Sequence, residues 1–317
     1  MSRFFSKSEY QKIMDFFGLG KIRTIEYFKQ GLAAPKIHVK STKGRYVIAK
    51  YKLGKGENFK NKPRTALRSE IDLLTSLENL PTPNYILNCK NDYILDYKGF
   101  AITVYKFLPG RAPKAMNEEK IFQLGKFLGN FHQQGAKFKN RFTARHIFYD
   151  FSNKKMKFMK KYAYNQKNKE LKSVVAEVER EVIKNRPHYN FSQGPIHVDI
   201  KSDNELFQRD KLTGIIDFGN FYVGPYILDL GKTIIFNCVI NNQINKKLKT
   251  QFLRGYESQR RLTKQEKKFL NRSILYAIYS HIWLDLYHVP LKLVPARHTL
   301  YFVKNFLPAA RQLNKSL

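Results

Sequence analysis

The chain has 317 residues, 43% of them hydrophobic and 14% aromatic, with 58 Lys and Arg against 25 Asp and Glu, a formal charge of +33. At roughly 100–200 residues per domain this is one large domain or two modest ones, and the apolar content excludes a generally disordered chain. The two cysteines, Cys89 and Cys238, lie far apart and in no C-x-x-C pair, which excludes a disulfide framework or a thiolate zinc site and fits a reducing compartment. No apolar run reaches the ~20 residues that span a bilayer, and MSRFFSKSEY lacks the apolar stretch of a signal peptide, so a cytoplasmic protein is expected. A field of this sign attracts nucleotide triphosphates, nucleic acids and anionic surfaces. The basic residues are nevertheless spread out. The densest stretch, Lys154 to Lys172, is interleaved with Met156, Phe158, Met159, Tyr162 and Tyr164, as on solvated faces of a folded region. No helix-turn-helix, zinc-finger or RNP pattern supports a nucleic-acid partner.

In chain order, Ile37 to Tyr51 reads as two alternating runs around Thr42-Lys43-Gly44-Arg45, a hairpin. Leu67, Ile71, Leu74 and Leu77 recur at helical spacing, and Pro81 and Pro83 stop that helix. Tyr93–Asp96 and Phe100–Phe107 form a second antiparallel pair, and Leu108-Pro109-Gly110 is placed as a hinge. Beyond it the chain turns helical. Asn117 caps a helix with Glu118 and Glu119 in its first turn, Ile121, Leu124, Phe127, Leu128 and Phe131 on its buried face, and Gly135 at its end. A basic helical stretch, interrupted near Asn190, leads to a strand–loop–strand cassette, IHVDIKSDNELF and LTGIIDFG. A helical tail follows, with the apolar run SILYAIYSHIWLDLY. The expected fold is α+β and bilobal. A small lobe, residues 1–108, carries an antiparallel sheet and one helix and binds nucleotide. A larger, mostly helical lobe, residues 109–317, carries catalysis and the acceptor site.

The chemistry concentrates in the cassette. In HVDIKSDN, Asp199 stands two residues after His197 and Asn204 five after Asp199. Asp217 follows eighteen residues beyond Asp199, inside GIIDFG. Phosphoryl transfer needs a carboxylate to orient the acceptor hydroxyl and take its proton, and hard oxygen ligands for a divalent ion on the triphosphate. Asp199 suits the first role, and Asn204 and Asp217 the second. A lone H-x-D is common by chance, but a carboxylate set within Ile215-Ile216-Asp217-Phe218 is costly unless paired or metal-bound. Val47-Ile48-Ala49-Lys50 has the outline of the kinase strand motif V-A-I-K, and Glu70 on the next helix is expected to hold Lys50 in an ion pair. There is no G-x-G-x-x-G; upstream stands only Gly31 in KQGLAAPK.

Taken together, these segments resemble the aminoglycoside phosphotransferase superfamily, with a homoserine kinase (type II) character. FGLGKIRTIEYFKQG, GRYVIAKYK, LRSEIDLLTSLENLPTPNYI, TVYKFLPGR, QLGKFLGNFHQQG, the two cassette segments with GPYILDLG, and FLRGYESQRRLTKQE follow the family's order over most of the chain. The resemblance implies a protein-kinase-like fold, ATP or GTP as donor, and Mg2+. It implies a catalytic set of His197, Asp199 and Lys201 with Asp199 as base, and Asn204 and Asp217 as metal ligands. It also implies Lys50 backed by Glu70 on the phosphates, adenine against the backbone near Lys106 and Leu108, and Asp229 as a structural brace. Two positions depart from the family pattern. Val198 stands where Gly is usual, and Lys201, where His or an aromatic is frequent, could touch the γ-phosphate or face solvent. Asp217-Phe218-Gly219 spells the protein-kinase metal motif, but GPYILDLG follows too soon for an activation loop, which points to a small-molecule hydroxyl acceptor.

For the acceptor, homoserine or a related amino alcohol is expected, with aminoglycosides, choline or ethanolamine, and sugars or lipopolysaccharide as alternatives. A non-catalytic nucleotide- or nucleic-acid-binding protein is a separate class. Asp285, a carboxylate in the apolar segment IWLDLYH, and Glu257 are the candidate contacts to an acceptor amine.

Overall fold

The structure, a computed structural model, describes residues 4–28, 34–54, 61–138, 151–187 and 190–316. Gly31, the upstream glycine of KQGLAAPK, lies outside the described residues. The chain forms two compact units. The first is Met1–Gly110 with Thr213–Gly219, and the second is Arg111–Leu212 with Asn220–Leu317.

The first unit begins with α1 (Lys7–Phe16), a helix beyond the one expected here. Its signal is local: Ser6 accepts the Glu9 N–H while the Glu9 carboxylate accepts the Ser6 N–H, a capping box that satisfies two end donors reciprocally. Strands β1 (Ile22–Tyr27), β2 (Lys36–Ser41) and β3 (Arg45–Tyr51) follow, then α2 (Arg64–Ser76), β4 (Leu95–Tyr97) and β5 (Phe100–Lys106). They make one antiparallel sheet in the order β1-β2-β3-β5-β4. Because side chains alternate across a strand, the register fixes two faces. Ile37, Val39, Tyr46, Ile48, Ile102 and Val104 pack with Tyr10, Ile13 and Met14 of α1 in one apolar cluster. Lys36, paired with Ala49, and Tyr105, paired with Val47, lie on the other face.

The second unit holds α3 (Glu118–Gly135), α4 (Asn153–Ala163), α5 (Lys169–Asn185), β6 (Gln193–Ile196), β7 (Glu205–Gln208) and β8 (Lys211–Ile215), whose last three residues count with the first unit. Then come β9 (Tyr222–Pro225), α6 (Tyr226–Cys238), a short ribbon of β10 (Val239–Ile240) and β11 (Gln243–Ile244), α7 (Lys246–Glu257), α8 (Lys264–His288) and α9 (Ala296–Asn314). Asn117 caps α3 by accepting the Lys120 N–H at 2.9 Å. Helices α3 and α7 meet backbone to backbone. A Cβ added at Gly125 would strike the Phe252 carbonyl, and one at Gly255 would strike the Phe122 carbonyl. The apolar run near the C-terminus becomes α8, buried on nearly every side, which is the behaviour of a helix at the centre of a helical core. Among the described residues no helix is long and apolar enough to cross a membrane.

Candidate active site

In the second unit, β6 delivers the loop from His197 to Asn204, and α6 fixes it. Asp229, in the first turn of α6 and fully buried, accepts the His197 N–H at 2.8 Å and the Val198 N–H at 2.7 Å. His132 of α3 also reaches Asp229, through Nε2 at 3.1 Å, while its Nδ1 lies 2.9 Å from the Tyr256 hydroxyl of α7. Burial depresses the His132 imidazolium, with the Asp229 hydrogen bond opposing, so the ring is neutral. One consistent proton arrangement follows. Arg260 donates to the Tyr256 oxygen at 2.9 Å, Tyr256 O–H donates to His132 Nδ1, and His132 Nε2–H donates to Asp229. Arg260 is held in turn by Glu266, which completes a capping box with Thr263. This gives Asp229 the bracing position expected for it.

The loop itself is tightly wound. Val198 sits at φ 60°, a left-handed conformation that strains a β-branched residue and accounts for glycine being usual there. The Asp199 N–H donates to His197 Nδ1 at 3.2 Å. Asn204 Nδ2 donates to the Asp199 carbonyl at 2.8 Å and lies 3.3 Å from Asp199 Oδ2. Lys201 Nζ is 2.9 Å from Asp199 Oδ1, so its ammonium turns to the carboxylate rather than to open solvent. His197, Asp199, Lys201 and Asn204 are thus brought together in one bonded loop. Next along the chain is Glu205, fully buried; burial pushes its carboxyl up to about 8, with Asn237 weakly opposing, so it is protonated at neutral pH.

In the first unit, the Ile215 N–H donates to the Pro81 carbonyl at 2.8 Å, and Asp217 follows at φ 66°. Lys36 Nζ of β2 lies 3.6 Å from Asp217 Oδ1. Burial acts to lower the Lys36 pKa, but the charges of Asp217, Tyr105, Tyr51 and Glu70 override it, and the pKa is raised. Glu70 of α2 is buried in an ion pair with Lys62 and accepts the Tyr85 hydroxyl at 3.0 Å. A Cβ built at Gly219 would lie 3.6 Å from Asp217 Oδ1 and 4.0 Å from Lys62 Nζ, so Lys62 and Asp217 adjoin the same spot.

The expected Lys50–Glu70 pair is corrected by this geometry. The Lys50 ammonium lies over the rings of Phe5 and Phe100, 4.2 and 4.0 Å from their centroids, and Lys62 takes Glu70. Strand parity is the cause. In V-A-I-K the Ala and Lys share a face, whereas in Val47-Ile48-Ala49-Lys50 the Lys shares its face with Ile48, against α1. At the hinge, the Lys106 N–H donates to the Asn84 carbonyl at 3.0 Å and the Phe107 N–H to the Arg45 carbonyl at 3.0 Å. The backbone donors of Lys106 and Phe107 are therefore already engaged.

Of the expected acceptor contacts, Glu257 is ion-paired with Lys267 at 2.8 Å. Asp285 is buried in α8, and burial pushes its carboxyl up to about 7 against the opposing charges of Lys232 and Lys201. Lys232, fully buried, is pushed down to about 7 by the same cause, opposed by Asp199 and Asp285. Lys36, Lys62 and Lys232 were not singled out from sequence. Only Lys36 had a usable signal, its place opposite Ala49 in the hairpin.

Each unit carries one of the two expected hard oxygen donors. In the second unit Asn204 donates its amide N–H to the Asp199 carbonyl, so its oxygen is the atom suited to a hard cation, and in the first unit Asp217 is a half-exposed carboxylate (49%).

Comparison with known proteins agrees with the fold. A homoserine kinase of Polaromonas naphthalenivorans (strain CJ2) is 20% identical over 270 residues, covering 84% of this chain and 82% of that protein. The microcompartment-associated aminopropanol kinase superposes with a TM-score of 0.70 at 12% identity, covering 98% of this chain and 97% of its own. An amicoumacin kinase in complex with AMP-PNP, Ca2+ and Ami gives a TM-score of 0.70 at 12% identity, covering 99% and 94%. Residues 24–264 match the phosphotransferase enzyme family, and with the kinase-like fold and the bonded H-x-D loop this places the chain in that family.

Proposed function

We propose that this phosphotransferase moves the γ-phosphoryl group of ATP to the hydroxyl of a small amino alcohol, homoserine or a close relative, in the cytoplasm. The observation that carries the proposal is the Asp199 loop, in which a carboxylate is set by bonds to Asn204 and Lys201 on a backbone locked by Asp229. Asp199 is the general base. It accepts the acceptor O–H, turns the oxygen toward phosphorus and takes the proton as the new P–O bond forms and the bond from the γ-phosphorus to the β,γ-bridging oxygen breaks, with ADP as the leaving group. Asn204 and Asp217 would hold Mg2+, which would neutralise charge on the phosphate oxygens. Lys36 and Lys62, rather than Lys50, supply the ammonium groups for the triphosphate, and Glu70 holds Lys62. Lys201, 2.9 Å from Asp199 Oδ1, orients the carboxylate while the acceptor approaches.

The acceptor is drawn from the homoserine kinase relative and from the charges beside Asp199. Lys201, and in part Lys232, whose pKa burial lowers to about 7, supply positive charge there that favours an acceptor carrying a carboxylate over a plain amino alcohol. The test is a coupled assay with ATP, Mg2+ and a panel of L-homoserine, aminopropanol, choline, ethanolamine and aminoglycosides. Turnover should be greatest with homoserine. Asp199→Ala should lower kcat by about 10²–10⁴-fold with nucleotide affinity nearly unchanged. Wild-type turnover in Asp199→Ala would remove the base assignment, and a plain amino alcohol outrunning homoserine would remove the acceptor.

A further inference from the structure

In α8, His281 and Asp285 stand four residues apart and so share a face. His298, from the first turn of α9, comes up beside them. One donor atom from each of the three lies within 4.8 Å of the others. These groups do not satisfy one another. His298 Nε2 is 3.6 Å from Asp285 Oδ2, beyond hydrogen-bond range. The Asp285 Oδ2 and His281 Nε2 atoms are both buried without a hydrogen-bond partner. His281 Nδ1 faces Lys232 Nζ at 3.5 Å, which leaves Nε2 as the nitrogen open to a ligand. The Phe302 ring packs against both imidazoles, with centroids 4.1 Å from His281 and 5.0 Å from His298, and so limits how either can turn. A buried carboxylate oxygen and a buried ring nitrogen left unbonded are costly, and a cation between them would remove that cost.

We propose that His281, Asp285 and His298 form a binding site for a divalent transition metal of the zinc class, separate from the Asn204 and Asp217 ligands of the reaction. Two imidazoles and a carboxylate suit Zn2+, whereas Mg2+ prefers an all-oxygen set. Tetrahedral ligands at the usual zinc distances stand roughly 3.3 Å apart, so the three groups close on an ion with shifts of about an ångström. His298 is 49% exposed, which gives an entry path and leaves the fourth position to water or a ligand. The ammonium groups of Lys201 and Lys232 share this field and oppose a cation, so binding should be weaker than in a closed four-ligand site.

The test uses the full chain, stripped with chelator and titrated calorimetrically with Zn2+ in excess Mg2+, without nucleotide. Stripped protein loaded with Co2+ is read by visible absorption. The expected result is one Zn2+ per chain, retained in excess Mg2+, and a tetrahedral Co2+ spectrum. His298→Ala, a substitution at a half-exposed position that leaves the core intact, should weaken Zn2+ about tenfold or more. Asn204→Ala should bind Zn2+ as wild type does. Absence of saturable Zn2+ binding, equal affinity in His298→Ala, or a loss in Asn204→Ala alone would each overturn the proposal.

Discussion

The loop around Asp199 and the charges around Asp217 are held in different ways. Asp229 grips the backbone of the loop, through the His197 and Val198 amides, and is itself backed by His132, Tyr256 and Arg260. In the first unit the charged side chains hold one another, Lys36 with Asp217 and Lys62 with Glu70. Backbone bonds to a buried carboxylate keep their geometry whatever the ligand, while pairs of side chains can exchange partners when a polyanion arrives. The difference separates a part built for position from a part built for charge.

Substitutions can sharpen or break that contrast. The largest effect is expected at Asp229. Asp229→Ala leaves two buried amides and His132 without their acceptor, so stability should fall by about 3–5 kcal/mol, measured by denaturant unfolding, and kcat should fall with it. Full activity in a folded Asp229→Ala enzyme would end the idea of a fixed loop. Next, Lys36→Ala and Lys62→Ala should each raise KM for ATP and lower kcat, together costing about 2–3 kcal/mol in kcat/KM. Lys50→Met should leave both constants near wild type and cost only about 0.5–2 kcal/mol of stability through its lost ring contacts. Kinetics in which Lys50 matters more than Lys36 would restore the strand-lysine assignment.

The smallest and most specific effect concerns Glu205. Its folded pKa, about 8, lies above its ordinary 4.5, so between those values the folded state holds a proton that the unfolded state has released. Its contribution to stability is therefore greatest at low pH and declines as pH rises from about 4.5 to about 8. Glu205→Gln should flatten that decline in a melting-temperature series across this window. An unchanged slope would show that the carboxyl titrates normally.

Sequence showed the cassette well because its information is local. The H-x-D spacing and the Asn five residues on are fixed by the bonds of a single loop, and Asn117 marks the start of α3 by its cap. Lys50 was misplaced because side-chain direction in a strand depends on parity, and exchanging Ile and Ala within the motif turns the lysine to the other face. Lys62 had no local signal, since it enters from a loop and its partner Glu70 is fixed only by tertiary packing. The His281–Asp285–His298 cluster was half visible, as an i, i+4 pair, but its third member comes from another helix. The start of α1 is written locally, in Ser6 and Glu9.

Helices α3 and α7 touch where Gly125 and Gly255 have no side chain to hold them apart. His132 and Tyr256, which relay hydrogen bonds to Asp229, stand one on each helix, Tyr256 directly after Gly255. A methyl group introduced at either glycine would push the two helices apart and pull that relay out of line, so turnover should fall on substitution at a seam that contains none of the reacting groups. Enzymes selected for altered turnover can therefore be expected to carry changes along this seam, in residues that no inspection of the bound substrates would single out.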